Sequence, residues 1–122
     1  MDHINKLLND IRHYDVEIAV LQEEADYFSK IDTEDARLRV QQNRNTIARM
    51  AKEKIAVSNA IDRLSDPITR IVMKRRYILG EQWWKIARCC NQCERNLRYI
   101  KKNTLDEFAR IFREEMKNND EM

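Results

Sequence analysis

The stretch that decides the fold runs from Asp66 to Phe112 and reads DPITRIVMKRRYILGEQWWKIARCCNQCERNLRYIKKNTLDEFARIF. Asp66 can cap a helix because its carboxylate accepts the backbone N–H groups left unpaired in the first turn. Pro67 suits the first helical position, where its missing N–H costs nothing. Gly80, the chain's single glycine, follows two apolar residues at a point where a helix ends in a left-handed residue. These signals predict a helix that begins after Asp66 and ends before Gly80.

Two further helices follow, because apolar residues recur there at helical spacing. The two apolar stripes are Trp83, Ile86, Ala87 and Cys90, and then Leu97, Ile100, Leu105, Phe108 and Phe112. Asn91 lies between them and favours a left-handed turn. Trp84 points about 100° away from Trp83, so only Trp83 is expected in the core. The pair predicts a helix-turn-helix, which places its second helix in the DNA major groove.

The other faces of this last helix carry the candidate DNA contacts. The candidate base readers near its N-terminus are Glu94, Arg95, Arg98 and Tyr99. A carboxylate accepts from the cytosine amino group, an arginine pairs bidentately with guanine, and a tyrosine contacts a base edge or a thymine methyl. The candidate phosphate contacts are Lys85, Arg88, Lys101 and Lys102. Phosphate contacts position a protein on DNA without reading the sequence.

This stretch resembles the DNA-binding region four of sigma factors, and is more similar still to small phage transcriptional regulators of the ArpU/RinA kind. The matching residues are Asp66-Pro67, Arg76-Tyr77, Gly80, Trp83, Ile86-Ala87, Cys90, Glu94-Arg95, Leu97, Ile100 and Leu105. The resemblance covers roughly two-fifths of the chain. It departs at Asn91, where the family usually has glycine, and at Cys93, where it usually has serine or threonine. It implies transcriptional activation of phage late genes.

Charge is distributed unevenly along the 122 residues, although the net charge is only +2. Residues 63–113 carry 13 Lys/Arg against 5 Asp/Glu, whereas residues 1–62 carry 9 against 12. Positive charge is therefore concentrated in the candidate DNA reader, as binding to a phosphate polyanion requires. The single glycine and single proline favour long helices and few loops.

Two long helices are predicted before residue 65. Apolar residues spaced by three and four form an unbroken heptad pattern from Ile4 to Phe28, which predicts one continuous helix. Asp32 or Thr33 can cap a second helix from about residue 34 to residue 64. Its seam consists of Val40, Asn43, Ile47, Met50, Lys54, Val57, Ile61 and Leu64. The short connection favours an antiparallel hairpin about 45 Å long.

The prediction is therefore an all-α protein in three parts. Residues 1–64 form a helical hairpin (a coiled coil) for oligomerisation, and residues 65–116 form a three-helix domain that contains the helix-turn-helix. Residues 117–122 form a polar tail. Two helices bury each other on one side only, so we expect the hairpin to pair with a second copy. A symmetric homodimer would also fit two DNA half-sites.

The remaining chemistry is sparse. Cys89, Cys90 and Cys93 form one short cluster, whereas a structural zinc site needs four ligands, so no metal is expected. No phosphate loop or nucleophile with a nearby base is visible, so we expect neither enzymatic activity nor a cofactor. The odd cysteine count and the lack of a targeting or membrane-spanning pattern fit a reducing bacterial cytoplasm.

The predicted function is sequence-specific binding to double-stranded DNA in transcription control. One alternative is a small terminase-like subunit that recognises DNA for packaging, which would form a ring of many copies. Another is a sigma-like protein that binds RNA polymerase. Residues 74–76, a run of three cations, suit DNA backbone, RNA polymerase or solvent equally well.

Overall fold

The fold is all-α, as predicted, in a computed structural model that describes residues 2–120 and the side chains of residues 3–118. In chain order the described helices are α1 (Asp2–Ile11), α2 (Tyr14–Ser29), α3 (Glu34–Asp62), α4 (Pro67–Met73), α5 (Trp83–Cys90) and α6 (Glu94–Asp120). A π-helical turn, Lys74–Ile78, continues directly from α4. None of the helices in this part of the chain combines the length and apolar character needed to cross a membrane.

The helix termini follow from local residues. Of the two candidate caps before α3, Thr33 takes the role, and its Oγ1 accepts from the Ala36 N–H at 3.1 Å. The Asp66 carboxylate caps α4 by accepting from the Thr69 N–H at 2.9 Å. Gly80 has a φ of +71°, the left-handed conformation expected where the π-helical turn ends. The predicted signals at Asp66 and Gly80 are therefore confirmed.

The prediction of one unbroken helix from Ile4 to Phe28 is wrong. The chain turns at Arg12 and His13, so α1 ends at Ile11 and α2 begins at Tyr14. The break lets α1 leave the line of α2 and pack against the π-helical turn as well as α3. The carbonyl oxygen of Arg12 then lies 3.7 Å from the position that a Cβ on Gly80 would occupy.

The gain in apolar burial explains why the chain breaks there. Ile4, Leu8 and Ile11 are almost fully buried in the main core. Burying a side chain of this size contributes about 1.5–3 kcal/mol. A backbone hydrogen bond contributes about 0.5–1.5 kcal/mol net, so the few helical bonds lost at the turn weigh less. The heptad pattern is compatible with either arrangement.

Helices α2 and α3 lie antiparallel, as the polar contacts between them show. The Asn43 Nδ2 donates to the Leu21 carbonyl at 3.2 Å and to the Glu24 carboxylate at 2.9 Å. Nearer the other end of the pair, the Lys54 ammonium lies 2.6 Å from the Asp15 carboxylate. The two polar residues that interrupt the seam of α3 are thus matched by acceptors on α2, which favours this register.

One main core connects the two ends of the chain. It contains buried residues of α1, the C-terminal half of α3, the end of α4, the π-helical turn and α6. These residues come from both sides of the boundary predicted at residues 64–65. Helix α6 continues to Asp120, so the predicted polar tail, residues 117–122, begins within it. Residues 121 and 122 lie outside the described part of the chain.

Candidate nucleic-acid interface

The start of α6 is fixed by a tight turn after α5. Asn91 has a φ of 53° and a ψ of 45°, the left-handed conformation that its residue type tolerates. The Gln92 N–H then donates to the Ala87 carbonyl at 2.9 Å and closes the turn. The Cys93 sulfur accepts from the Asn96 N–H at 3.4 Å, so the thiol acts as a weak cap for α6.

A small second core holds α5 and α6 at a fixed angle to α4. Its buried residues are Val72, Ile86, Ala87 and Leu97, and Trp83, Cys90 and Ile100 pack against them. Leu97 is fully buried and therefore sets which face of α6 points inward. The residues two positions away on α6, Arg95 and Tyr99, point about 160° away from Leu97 and therefore face outward.

The outward face carries the predicted base readers. Glu94, Arg95, Arg98 and Tyr99 are all exposed, and Tyr99 keeps 63% of its accessible surface. Glu94 and Arg98 form an ion pair of 3.8 Å across one helical turn. An exposed pair of this kind is worth little, so either side chain is available to a ligand. The structure thus brings the four side chains together on one accessible surface.

The predicted phosphate contacts separate into two groups. Lys85, Arg88 and Lys102 are exposed, and the Lys85 ammonium lies 3.7 Å from the Glu81 carboxylate. Trp84, beside Lys85, is 57% exposed. Lys101 is half-buried instead, with its ammonium 5.7 Å from the centre of the Tyr77 ring. Burial, followed by the positive charges of nearby arginines, lowers the pKa of Lys101.

The three side chains of the basic run at residues 74–76 make different contacts. Lys74 lies 2.6 Å from the Asp62 carboxylate, and Arg75 lies 3.1 Å from the Glu81 carboxylate. Arg76 donates to the Glu81 backbone carbonyl and places its guanidinium 4.6 Å from the centre of the Trp83 ring of α5. The π-helical turn, which widens the helix at these residues, accompanies this divergence.

Arg76 and Lys101 face an open cleft of about 590 Å³ whose other wall is α1. Asn5 and Asn9 of α1 line that wall. The pKa of Arg76 is lowered by burial first and by the positive charge of Arg12 second. The sequence predicted Lys101 as a phosphate contact and residues 74–76 as possible contacts to DNA backbone. It did not predict the wall formed by α1, because nothing in the heptad pattern indicates that α1 leaves the hairpin.

The three cysteines lie in different environments. Cys89 and Cys93 are exposed, whereas Cys90 is half-buried against the second core. Among the residues whose side chains the structure describes, no three potential metal-ligating side chains gather at one point.

Comparison of the chain with models of protein families, with curated proteins and with solved structures finds no match.

Proposed function

We propose that the protein binds duplex DNA in a sequence-specific manner and regulates transcription, with α5 and α6 acting as a helix-turn-helix. The observation that carries this proposal is the way in which α6 is held. Its C-terminal part is buried in the main core through Leu105, Phe108 and Ile111, whereas its first two turns present polar side chains to solvent. A helix held in this way can enter the major groove, which is about 12 Å wide.

The exposed side chains suit base recognition. Arg95 and Arg98 carry planar donor groups that match the two acceptors of guanine, and Glu94 can accept from cytosine. Lys85 and Arg88 lie on α5, the helix that crosses the backbone in this motif. The excess of positive charge in residues 63–113 supports attraction to the phosphates.

The resemblance to ArpU/RinA-type regulators suggests the biological setting. It points to activation of phage late genes in the cytoplasm of a bacterial host. A terminase-like packaging subunit would use the same helix but assemble as a ring, so the number of subunits in solution distinguishes the two functions.

A homodimer is part of the proposal. Val16, Val20 and Tyr27 are exposed and share one side of α2, at spacings of four and seven residues. An apolar stripe on a helix already paired with α3 suits a second hairpin, which would complete a four-helix bundle. We expect Val20→Lys to weaken self-association in sedimentation equilibrium. A wild-type protein that stays monomeric at micromolar concentration contradicts the dimer.

A second candidate function, contact with RNA polymerase, is favoured by one exposed apolar surface. Ile68, Ile71 and Leu79 are all exposed, and the last two line a shallow pocket of about 370 Å³. Exposed apolar groups gathered in this way mark protein interaction sites. Loss of polymerase binding in Ile71→Asp, with DNA affinity unchanged, would support this function.

Selection of bound duplexes from a random pool tests the main proposal, because it measures binding and reads the site together. We expect a defined sequence preference for the wild type. Arg95→Ala should reduce discrimination at one base pair by about 1–3 kcal/mol. Arg113→Ala, which removes an exposed cation farther along α6, is the matched control and should leave the preference intact. Absence of affinity for any duplex at low salt would refute the proposal.

A further inference from the structure

The cleft between α1, the π-helical turn and α6 is lined by Arg76 and Lys101, and Arg12 lies close enough for its charge to act on both. All three cations are half-buried. Their charges act on one another, since Arg12 and Arg76 both lower the pKa of Lys101. Within residues 3–118, no carboxylate lies in ion-pair contact with any of the three, as far as the described side chains show.

Contacts with neighbouring groups hold the side chains of Arg76 and Lys101 at the cleft. The Arg76 Nη1 donates to the Glu81 carbonyl at 3.1 Å, and its guanidinium stacks on Trp83. Lys101 lies over the ring of Tyr77, where a cation gains from the electron-rich face. The Nε atoms of Arg12 and Arg76 are buried and have no hydrogen-bond partner.

This arrangement costs free energy in the unliganded protein. Buried cations are normally paired, because desolvation and mutual repulsion oppose their charge. The chain does pair cations elsewhere: Lys74 contacts Asp62, and Arg75 contacts Glu81. Arg76 and Lys101, which line the cleft, and the adjacent Arg12 have no carboxylate partner among the described side chains, so their charge is available to an anionic ligand.

We propose that this cleft binds one phosphate of the DNA backbone, which makes α1 part of the nucleic-acid interface; this inference rests on the proposed DNA-binding function. Arginine guanidinium groups bind phosphate oxygens through paired N–H donors, and a lysine adds a compact positive charge. Asn5 and Asn9, on the α1 wall, offer neutral amide donors to the same space.

The position of the cleft identifies the source of the phosphate. Arg98 and Lys102 line its edge and also belong to the outward face of α6. A strand that flanks the groove entered by α6 would pass this edge. A helix-turn-helix contacts backbone through its first helix as well, and here α1 would add a second clamp from outside the motif.

The test measures the salt dependence of DNA affinity in the full chain. Each phosphate neutralised contributes about 0.9 to the slope of log K against log salt. Because the proposal places one phosphate in the cleft, we expect Lys101→Gln, which removes a lining charge, to reduce that slope by up to about 0.9. Arg12→Gln, which removes the adjacent charge, should reduce it by no more than that. Arg113→Gln, an exposed charge on the far part of α6, should leave the slope unchanged.

A second measurement separates a backbone phosphate from free phosphate. Inorganic phosphate is titrated while the indole N–H signals of Trp83 and Trp84 are followed by NMR. A saturable shift of Trp83 alone in the wild type, absent in Arg12→Gln, supports a phosphate site in the cleft. The exposed Trp84 serves as the internal control.

The outcomes distinguish this inference from the proposed function. If the wild type binds DNA and both cleft variants keep its salt slope, the cleft inference is overturned and DNA binding by α6 stands. If the wild type binds no duplex, both proposals fall. A Trp83 shift in that case would assign the cleft to free phosphate instead of DNA.

Discussion

Replacement of Tyr77 by phenylalanine should stabilise the protein. Tyr77 is fully buried beneath the cleft, and no group meets hydrogen-bond geometry at its hydroxyl, although the Arg76 guanidinium lies close enough to lower the pKa of Tyr77 as a donor. A buried polar group without a partner costs about 1–3 kcal/mol, whereas phenylalanine keeps the ring, its packing and its contact with the Lys101 ammonium. We therefore expect Tyr77→Phe to raise the free energy of unfolding by about 1 kcal/mol at neutral pH.

The effect should grow in alkaline solution. Burial raises the pKa of Tyr77 from 10.0 to about 12, although the charges of Arg76 and Arg12 oppose the shift. Between these two pH values the unfolded chain loses the phenolic proton while the folded chain keeps it. Folding stability conferred by wild-type Tyr77 therefore falls as pH rises above 10, with a slope that approaches about 1.4 kcal/mol per pH unit. Phenylalanine has no such slope.

Urea unfolding followed by circular dichroism at pH 7, 10 and 11 measures both effects. Comparing the wild type with Tyr77→Phe at each pH cancels the titration of the other groups. Tyr27→Phe is the matched control, since Tyr27 is 64% exposed and its replacement should change stability little. A loss of stability in Tyr77→Phe at pH 7 would show that the hydroxyl makes a favourable bond and would refute the reasoning.

Four further predictions concern turns and the cleft. In urea unfolding, Gly80→Ala should lower the free energy of unfolding by about 1–2 kcal/mol. The cost comes from the φ of +71°, because the added Cβ would meet no atom closer than 3.7 Å. Asn91→Gly should raise the free energy of unfolding by up to about 1 kcal/mol, because glycine adopts the φ of 53° without strain. Cys93→Ser should raise the melting temperature by improving the α6 cap, worth about 0.5 kcal/mol. Lys101→Gln should also raise the melting temperature of the free protein, because burial and then Arg76 and Arg12 lower this lysine's pKa. The charged lysine destabilises the folded protein only below its lowered pKa, so the gain in melting temperature should disappear as pH rises toward 10.5. In the same variant, DNA affinity at neutral pH should fall.

Local sequence predicted the features that have local causes. Asp66 caps α4, Gly80 and Asn91 adopt left-handed conformations, and α3 begins after a capping threonine. Each of these depends on the conformational range of one residue or on a hydrogen bond to a near neighbour. The outward placement of Arg95 and Tyr99 also follows from helical spacing once Leu97 points inward.

Long-range features were not accessible in the same way. The spacing from Ile4 to Phe28 fits a continuous helix, and only the core formed with α6 and the π-helical turn explains the break after Ile11. The burial of Leu8 rather than Leu7 follows from that break. Arg12 and Lys101 are 89 residues apart, and no periodic pattern indicates that their charges lie close together in the fold.

The break after α1 links folding to the cleft. Ile4 and Leu8 are buried in the main core, and Asn5 and Asn9, which line the cleft, follow them by one position each. Neighbouring positions on a helix point about 100° apart, so the packing that buries Ile4 and Leu8 carries Asn5 and Asn9 to the side of α1 that lines the cleft. The polar wall exists only while α1 is docked, and a ligand that binds this wall stabilises the docked state by mass action. The turn after Ile11 that separates α1 from the hairpin therefore places three apolar side chains in the core and a cation near α6.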